Sequence, residues 1–290
     1  MKLIITTICL CLCVTVFAQP DTVSAVNSAT KKPKNIILLI GDGTGLSQIS
    51  GLQFYTEDAS NYEQFPVVGL IKTSSSNSLI TDSAAGATAF ASGIKTYNGA
   101  VGVDASGAPV PTLVEQISPM GMKTGVIATS SITHATPACF YAHEKSRRNA
   151  EQIAMDLANS DIDFFAGGGL KFFNERKDNK DLLSAMRANG FSIETLALSP
   201  SGASRQGFLL ALDGMPRVTE GRGDFLLTAT QMGIRHLSQG ENGFFLMVEG
   251  SQVDWGGHSN ETEYVITELI DFNKLATSVL VVHWSRRGSL

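Results

Sequence analysis

Short, unbroken apolar runs alternate along this chain with stretches whose apolar residues recur every three or four positions. The runs Ile36–Ile40, Thr124–Thr129, Ile162–Ala166, Gly243–Val248 and Ser278–Val282 are apolar on both faces instead of alternating, which predicts strands buried from two sides, as in a parallel sheet. Helical spacing predicts helices over Ser83–Ser92, Pro111–Met120, Asn149–Ala158, Lys180–Ala188 and Leu226–Leu237. Strands and helices in turn predict one α/β domain, a predominantly parallel sheet with helices on both faces.

The composition supports a large core: 290 residues, 43% hydrophobic and only 17% charged. A formal charge of −5, a pI near 5.6 and the lack of a basic run argue against a nucleic-acid partner. No internal repeat or low-complexity segment is evident.

The N-terminus has its own logic. Lys2 precedes an apolar stretch, Leu3–Phe17, and Val16-Phe17-Ala18 precedes Gln19, the pattern of a secretory signal peptide cut after Ala18. About 15 apolar residues fall short of the roughly 20 that span a bilayer, so no stable membrane anchor is expected. Lipid attachment at Cys11 or Cys13 is disfavoured by the large Leu10 and Leu12 before them. Removal of residues 1–18 leaves Cys139 as the sole cysteine, read as a small buried hydrophobe with no disulfide partner. Residues 19–33 read as a polar, flexible lead-in, and the folded part is expected from Lys34. The expected location is periplasmic or secreted.

Chemistry gathers at the ends of the strands. The first runs into Gly41-Asp42-Gly43-Thr44-Gly45, a carboxylate at the edge where open parallel sheets bind ligands, although a strand-to-helix turn capped by Asp gives the same letters. The spacing of these glycines fails the dinucleotide fingerprint. Thr81-Asp82-Ser83-Ala84-Ala85 places a serine at the start of a predicted helix, where amide groups and the helix dipole favour a phosphoryl group; an ordinary cap is the alternative. No histidine base stands near Ser83 in sequence, so its activation is expected from a metal ion. Gly243–Gly250 is a strand ending in Glu249, and behind it Asp254 and His258 stand four apart, a spacing that aims an oxygen and a nitrogen at one ion.

Four of these stretches, Lys34–Gly43, Thr81–Ala85, Lys95-Thr96-Tyr97-Asn98-Gly99 and Val248-Glu249-Gly250, closely resemble the alkaline phosphatase family, in order, over residues 34–274. The resemblance implies a phosphomonoesterase with a serine nucleophile between two zinc ions and a magnesium ion close by. Ser83 then matches the nucleophile that becomes phosphoserine, and Asp42 the carboxylate bridging the second zinc and the magnesium. Thr136 and Glu249 match magnesium ligands, and Asp254 and His258 ligands of the first zinc. Arg147 matches the arginine that grips phosphate; Arg148 is its neighbour, and the spacing favours Arg147. Asp82 is expected to orient it. His134 stands where some members carry Asp, and Trp255 fits the pattern that members with this His commonly carry a residue other than Lys just after the first zinc Asp. His143 and His236 fall on helical patterns and read as structural or solvated.

The resemblance also implies a later strand ending in an Asp-His pair and a still later His, and neither is present. Residues 275–290 depart from the family pattern, so the expectation is an incomplete sheet, metal sites short of ligands, weak activity and poor stability. The alternatives are an inactive or noncatalytic secreted protein that binds metal or phosphate, and a related phosphodiesterase or sulfatase, which would carry Thr, or Cys or Ser in a Cys/Ser-x-Pro-x-Arg setting, in place of this serine motif. Family members are often dimers, but no letters here mark an interface. Expressed with export, the chain should have an intact mass lacking residues 1–18; a mass that retains them defeats the secretory reading.

Overall fold

Six strands, all parallel, form in a computed structural model that describes residues 33–57 and 60–285. They are β1 (Asn35–Gly41), β2 (Lys123–Ser131), β3 (Phe164–Gly168), β4 (Phe191–Glu194), β5 (Arg205–Leu209) and β6 (Phe244–Gly250), in the spatial order β1-β6-β2-β3-β5-β4. The helices are α1 (Leu46–Tyr55), α2 (Ser83–Ser92), α3 (Leu113–Ile117), α4 (Ala135–Ala138), α5 (Ala150–Asn159), α6 (Lys171–Asn174), α7 (Leu182–Ala188), α8 (Phe225–Leu237), α9 (Gln252–Ser259) and α10 (Thr262–Ser285). The expected signal peptide, all but the last residue of the lead-in, and residues 286–290 of the tail lie outside the described residues. Among the described residues no helix is long and apolar enough to cross a membrane.

Burial on both faces explains the uninterrupted apolar runs. In β6, Phe244, Leu246 and Val248 join Ile127 of β2 and residues of α8 and α10 on one side, while Phe245 and Met247 join Val126 and residues of α2, α4 and α5 on the other. Each helix contributes a stripe: α5 buries Ile153, Ala154, Leu157 and Ala158, spaced one turn apart. Fully burying Ile153 and Leu157 contributes about 1.5–3 kcal/mol apiece. The small residues of α2 let it sit close, burying Ala84, Ala85, Ala87, Thr88 and Ala91, until Gly93 ends the helix at a φ of +69°.

One predicted strand is overturned. Ser278–Val282 lies inside α10, because a continuous apolar run has no period that separates strand from helix, and the buried residues before it, Tyr264, Leu269, Phe272 and Leu275, already follow a helical spacing. The strands β4 and β5 escape the sequence reading, being four and five residues long and interrupted by polar positions. The end of the domain is held by a buried ionic group: Arg222 pairs with Glu268 and with Asp271 (2.9 Å) of α10, and the Arg217 guanidinium stacks on the Tyr264 ring.

His143 and His236 are structural, as read, but only His236 lies on a helix, α8. The His143 ring bonds the Gly102 carbonyl (2.6 Å) and the Glu115 carboxylate of α3 (2.8 Å), and its backbone N–H donates to Asp156 of α5 (3.3 Å). Burial lowers the His143 pKa, but the bonds to Glu115 and Gly102 outweigh it and hold it above 6.5; burial raises Glu115, and the bonds from His143 and Thr112 hold it below 4.5. The imidazolium contribution is therefore complete below pH 6.5 and disappears as pH rises through the folded His143 value, whereas the carboxylate contribution disappears as pH falls below about 4.5. His143→Gln should cost about 1 kcal/mol near pH 6, and the gap in thermal midpoint between wild type and variant should close as pH rises past the His143 value; a gap independent of pH defeats this assignment.

Candidate active site

Three adjacent strands, β1, β6 and β2, end at one rim of the sheet, and Ile40 and Ala128 flank Glu249 in register. The ladder runs one residue past β1, since the Asp42 N–H donates to the Gly250 carbonyl (3.2 Å). Gly43 then turns the chain at a φ of +66°, and a Cβ there would lie 2.6 Å from the Asp254 Cα. Only glycine lets the exit of β1 lie this close to α9.

Ser83 opens α2, and its hydroxyl donates to Asp42 Oδ2 at 2.9 Å. The preceding Asp82 has two roles. One oxygen caps α2 by accepting from the Ala85 N–H (2.9 Å), and the other accepts from Arg147 Nη1 (3.0 Å). The motif Lys95–Gly99 supplies the supports: Asn98 Oδ1 accepts from the Asp82 N–H (3.1 Å), and the Gly99 carbonyl accepts from the Arg147 N–H (2.8 Å). Arg147 lines the cavity at this rim and Arg148 does not.

The other side of the guanidinium meets His134, with Nη2 3.1 Å from Nε2. Arginine has no acceptor, so Nε2 accepts and the ring is neutral. Burial, followed by the Arg147 charge, pushes the His134 pKa down to about 4. Nδ1 then carries the proton, and it is buried without a hydrogen-bond partner. Trp255 abuts His134 edge-on, with 5.8 Å between ring centres.

Below the rim sits Glu249, fully buried, its Oε2 accepting from Ser251 Oγ (2.6 Å) and its Oε1 without a partner. Burial and the nearby Asp42 push its pKa up to about 8, against the opposing pull of Ser251 and Thr136. Asp42 is raised as well, by burial and then by Asp254. On α9, one turn separates Asp254 from His258, and Oδ2 and Nε2 lie 3.4 Å apart; the His258 side chain is 80% exposed. Every predicted site residue except Glu249 lines one cavity of about 950 Å³.

Crowded carboxylates with an orphaned buried oxygen suit a hard divalent cation, and Asp42, Thr136 and Glu249 fit it as oxygen donors. Zinc fits less well. Asp254 and His258 are two donors where catalytic zinc takes about three from protein, and among the described residues no three His, Cys, Asp or Glu side chains converge as a ligand set. The reading missed Ser251, whose hydroxyl orients Glu249 and also accepts from the Ser130 N–H (3.1 Å), and Asn98. Asn98 falls within Lys95–Gly99, whose resemblance to the family marks it in the sequence, whereas Ser251 carries no such signal. Cys139 is free and buried, its thiol pushed up to about 12 by desolvation, and takes no part.

A family model for alkaline phosphatase matches residues 33–283. Alkaline phosphatase 3 of Bacillus subtilis is 37% identical over 260 residues, 83% of this chain and 56% of its own length, so the chain spans little more than half of that relative. The solved alkaline phosphatase of the Antarctic bacterium TAB5 is 51% identical, with a TM-score of 0.87 over 88% of this chain and 76% of that one. A histidine-to-aspartate mutant of the TAB5 enzyme, with a TM-score of 0.86, has Mg bound in a site termed M3. A match that runs from the first strand to the last helix, with the same fold at half-identical sequence, means that this chain belongs to the alkaline phosphatase family.

Proposed function

We propose that this site hydrolyses phosphomonoesters through a phosphoserine on Ser83, in a protein exported after loss of residues 1–18. The observation that carries the reading is the contact between Ser83 and Asp42 at the start of α2, beside a guanidinium already fixed by Asp82 and His134. Arg147 grips two phosphoryl oxygens, and the α2 dipole favours the same negative charge. Ser83 Oγ attacks phosphorus as its proton passes to Asp42, whose burial makes it a better base than a free carboxylate. The P–O bond to the alcohol breaks, and the leaving alkoxide is protonated from solvent. Water then attacks the phosphoserine, phosphate departs, and Ser83 recovers its proton. Arg147 holds the phosphoryl oxygens through both displacements.

A divalent cation on Asp42, Thr136 and Glu249 would neutralise the crowded carboxylates and acidify a bound water. The TAB5 protein with Mg in its M3 site carries Asp in place of a histidine, and by the family resemblance His134 here stands where some members carry Asp, so the oxygen donors Asp42, Thr136 and Glu249 carry the placement on their own. Zinc at Asp254 and His258 needs a further donor, and no step is assigned to it. A second reading, a noncatalytic binder of phosphate or metal, is favoured by the two-donor, exposed Asp254–His258 pair alone.

Ser83→Ala should lower kcat/KM for p-nitrophenyl phosphate by about 10³-fold or more, and Arg147→Ala by about 10²-fold. Turnover that survives Ser83→Ala overturns the phosphoserine route, and no turnover by wild type with Zn²⁺ and Mg²⁺ supports the noncatalytic reading. Added Mg²⁺ should raise the thermal midpoint of wild type, and Glu249→Gln should abolish that rise while making the metal-free protein more stable, since it removes a buried, half-satisfied acid.

A further inference from the structure

The ladder between β6 and β2 ends where Glu249 meets Ala128, and side chains hold the two strands together beyond it. The Ser251 N–H donates to Thr129 Oγ1 (2.9 Å), and the Ser130 N–H donates back to Ser251 Oγ (3.1 Å). Gln252 adds a third hold: its Nε2 donates to the carbonyls of Thr129 (2.9 Å) and Met215 (2.7 Å), and its Oε1 accepts from the Tyr264 hydroxyl (2.8 Å). Thr129, Ser130, Ser251 and Gln252 are fully buried, so water does not compete for these bonds.

This latch decides what the Ser251 hydroxyl can do. A backbone N–H only donates, so the hydroxyl oxygen is the acceptor toward Ser130, and its single proton goes to Glu249 Oε2 at 2.6 Å. Glu249 lies two residues beyond Met247 and therefore on the face that β6 turns toward α2 and α4, the helices of Ser83 and Thr136. Its two oxygens are thus unlike: Oε2 is taken by a hydrogen, and Oε1 is without a partner. A cation bound to both oxygens would have to share Oε2 with the hydroxyl proton, and the latch keeps that hydroxyl from turning away.

We infer that Ser251 makes Glu249 a one-oxygen ligand and thereby selects Mg²⁺ over Ca²⁺ among the cations that Asp42, Thr136 and Glu249 can hold. Ca²⁺ takes about six to eight oxygens and accepts carboxylates that supply two at once, whereas Mg²⁺ demands near-ideal octahedral geometry and keeps several of its waters. Asp42 is constrained in the same way, its Oδ2 accepting from Ser83 (2.9 Å) and its Oδ1 from the Gly43 N–H (3.1 Å), and Thr136 has a single hydroxyl. Single oxygens completed by water suit Mg²⁺ and fall short of what Ca²⁺ needs. Ser251 does not line the cavity and acts only through Glu249, so it is a positioning residue. The inference rests on the cation placement proposed above and is independent of the phosphoserine route.

The test titrates the metal-free full chain, without substrate, with MgCl₂ or CaCl₂ and reads the thermal midpoint. Wild type should respond at a Mg²⁺ concentration about tenfold or more below that of Ca²⁺, and Glu249→Gln should respond to neither, which assigns the response to this site. Ser251→Ala should reduce the preference for Mg²⁺ about tenfold, by freeing Oε2 for Ca²⁺ and loosening the aim of Oε1. Thr129→Val removes the acceptor of the Ser251 N–H but leaves the hydroxyl donating to Glu249, so it should lower the midpoint and keep the wild-type preference. If Ser251→Ala does not fold, Ser251→Cys, a weaker donor of similar size, is the substitute, and it should move the preference in the same direction. The inference is overturned if wild type does not prefer Mg²⁺, if the preference survives at Ser251→Ala or Ser251→Cys, if Thr129→Val lowers it equally, or if Glu249→Gln still responds. A wild type that responds to neither ion overturns the cation placement itself, and the inference with it.

Discussion

The register that inserts β6 between β1 and β2 is the constraint on which the site depends. It sets Glu249 level with Ile40 and Ala128, so that residues some two hundred positions apart deliver Asp42, Glu249 and Thr136 to one rim. A shift of one residue in β6 would turn Glu249 to the opposite face and bring Val248 or Gly250 in its place. Because β6 is apolar on both faces, what opposes that slip is the fit of particular side chains, such as Phe245 stacked on Phe140, and the cost of driving Glu249 into an apolar core, so the packing that buries Phe245 and Met247 also fixes a carboxylate.

Around that fixed acid, polar groups are held by one another more than by solvent. Asp82 caps α2 and grips Arg147, Asn98 holds Asp82, and neutral His134 closes the far side of the guanidinium. Arg147 can therefore meet an incoming anion with little loss of side-chain freedom, which is the main cost of ordering a long, flexible cation. Glu249 and Asp42 are the costly partners: burial raises the pKa of both, Asp42 raises Glu249 further and Asp254 raises Asp42 further, and one Glu249 oxygen is left unsatisfied. Such an arrangement favours whatever positive charge enters the cavity.

The edge of β1 poses the same problem for the backbone. Among the described residues no strand pairs with the outward side of β1, where Ile37 and Leu39 face a largely apolar cavity, while the Gly41 carbonyl accepts from the Thr44 N–H (3.3 Å). At the opposite end of the sheet β4 is only four residues long, and the Arg205 guanidinium of β5 lies over its Phe191 ring, a short and partly covered edge of the kind that resists pairing.

The sequence by itself determined the sheet-and-helix class, the extent of α2, the serine at its start and the strand ends that carry Asp42 and Glu249, because continuous apolar runs and motif spacing are local and survive without coordinates. Distance between remote segments is not local. Only the tertiary structure decided that Asp82 joins α2 to Arg147, that His134 accepts from the guanidinium, that Ser251 steadies Glu249, and that Ser278–Val282 continues a helix. In each case the deciding partner lies on a different element, and what a polar or apolar residue does depends on which neighbour the fold brings within reach of it.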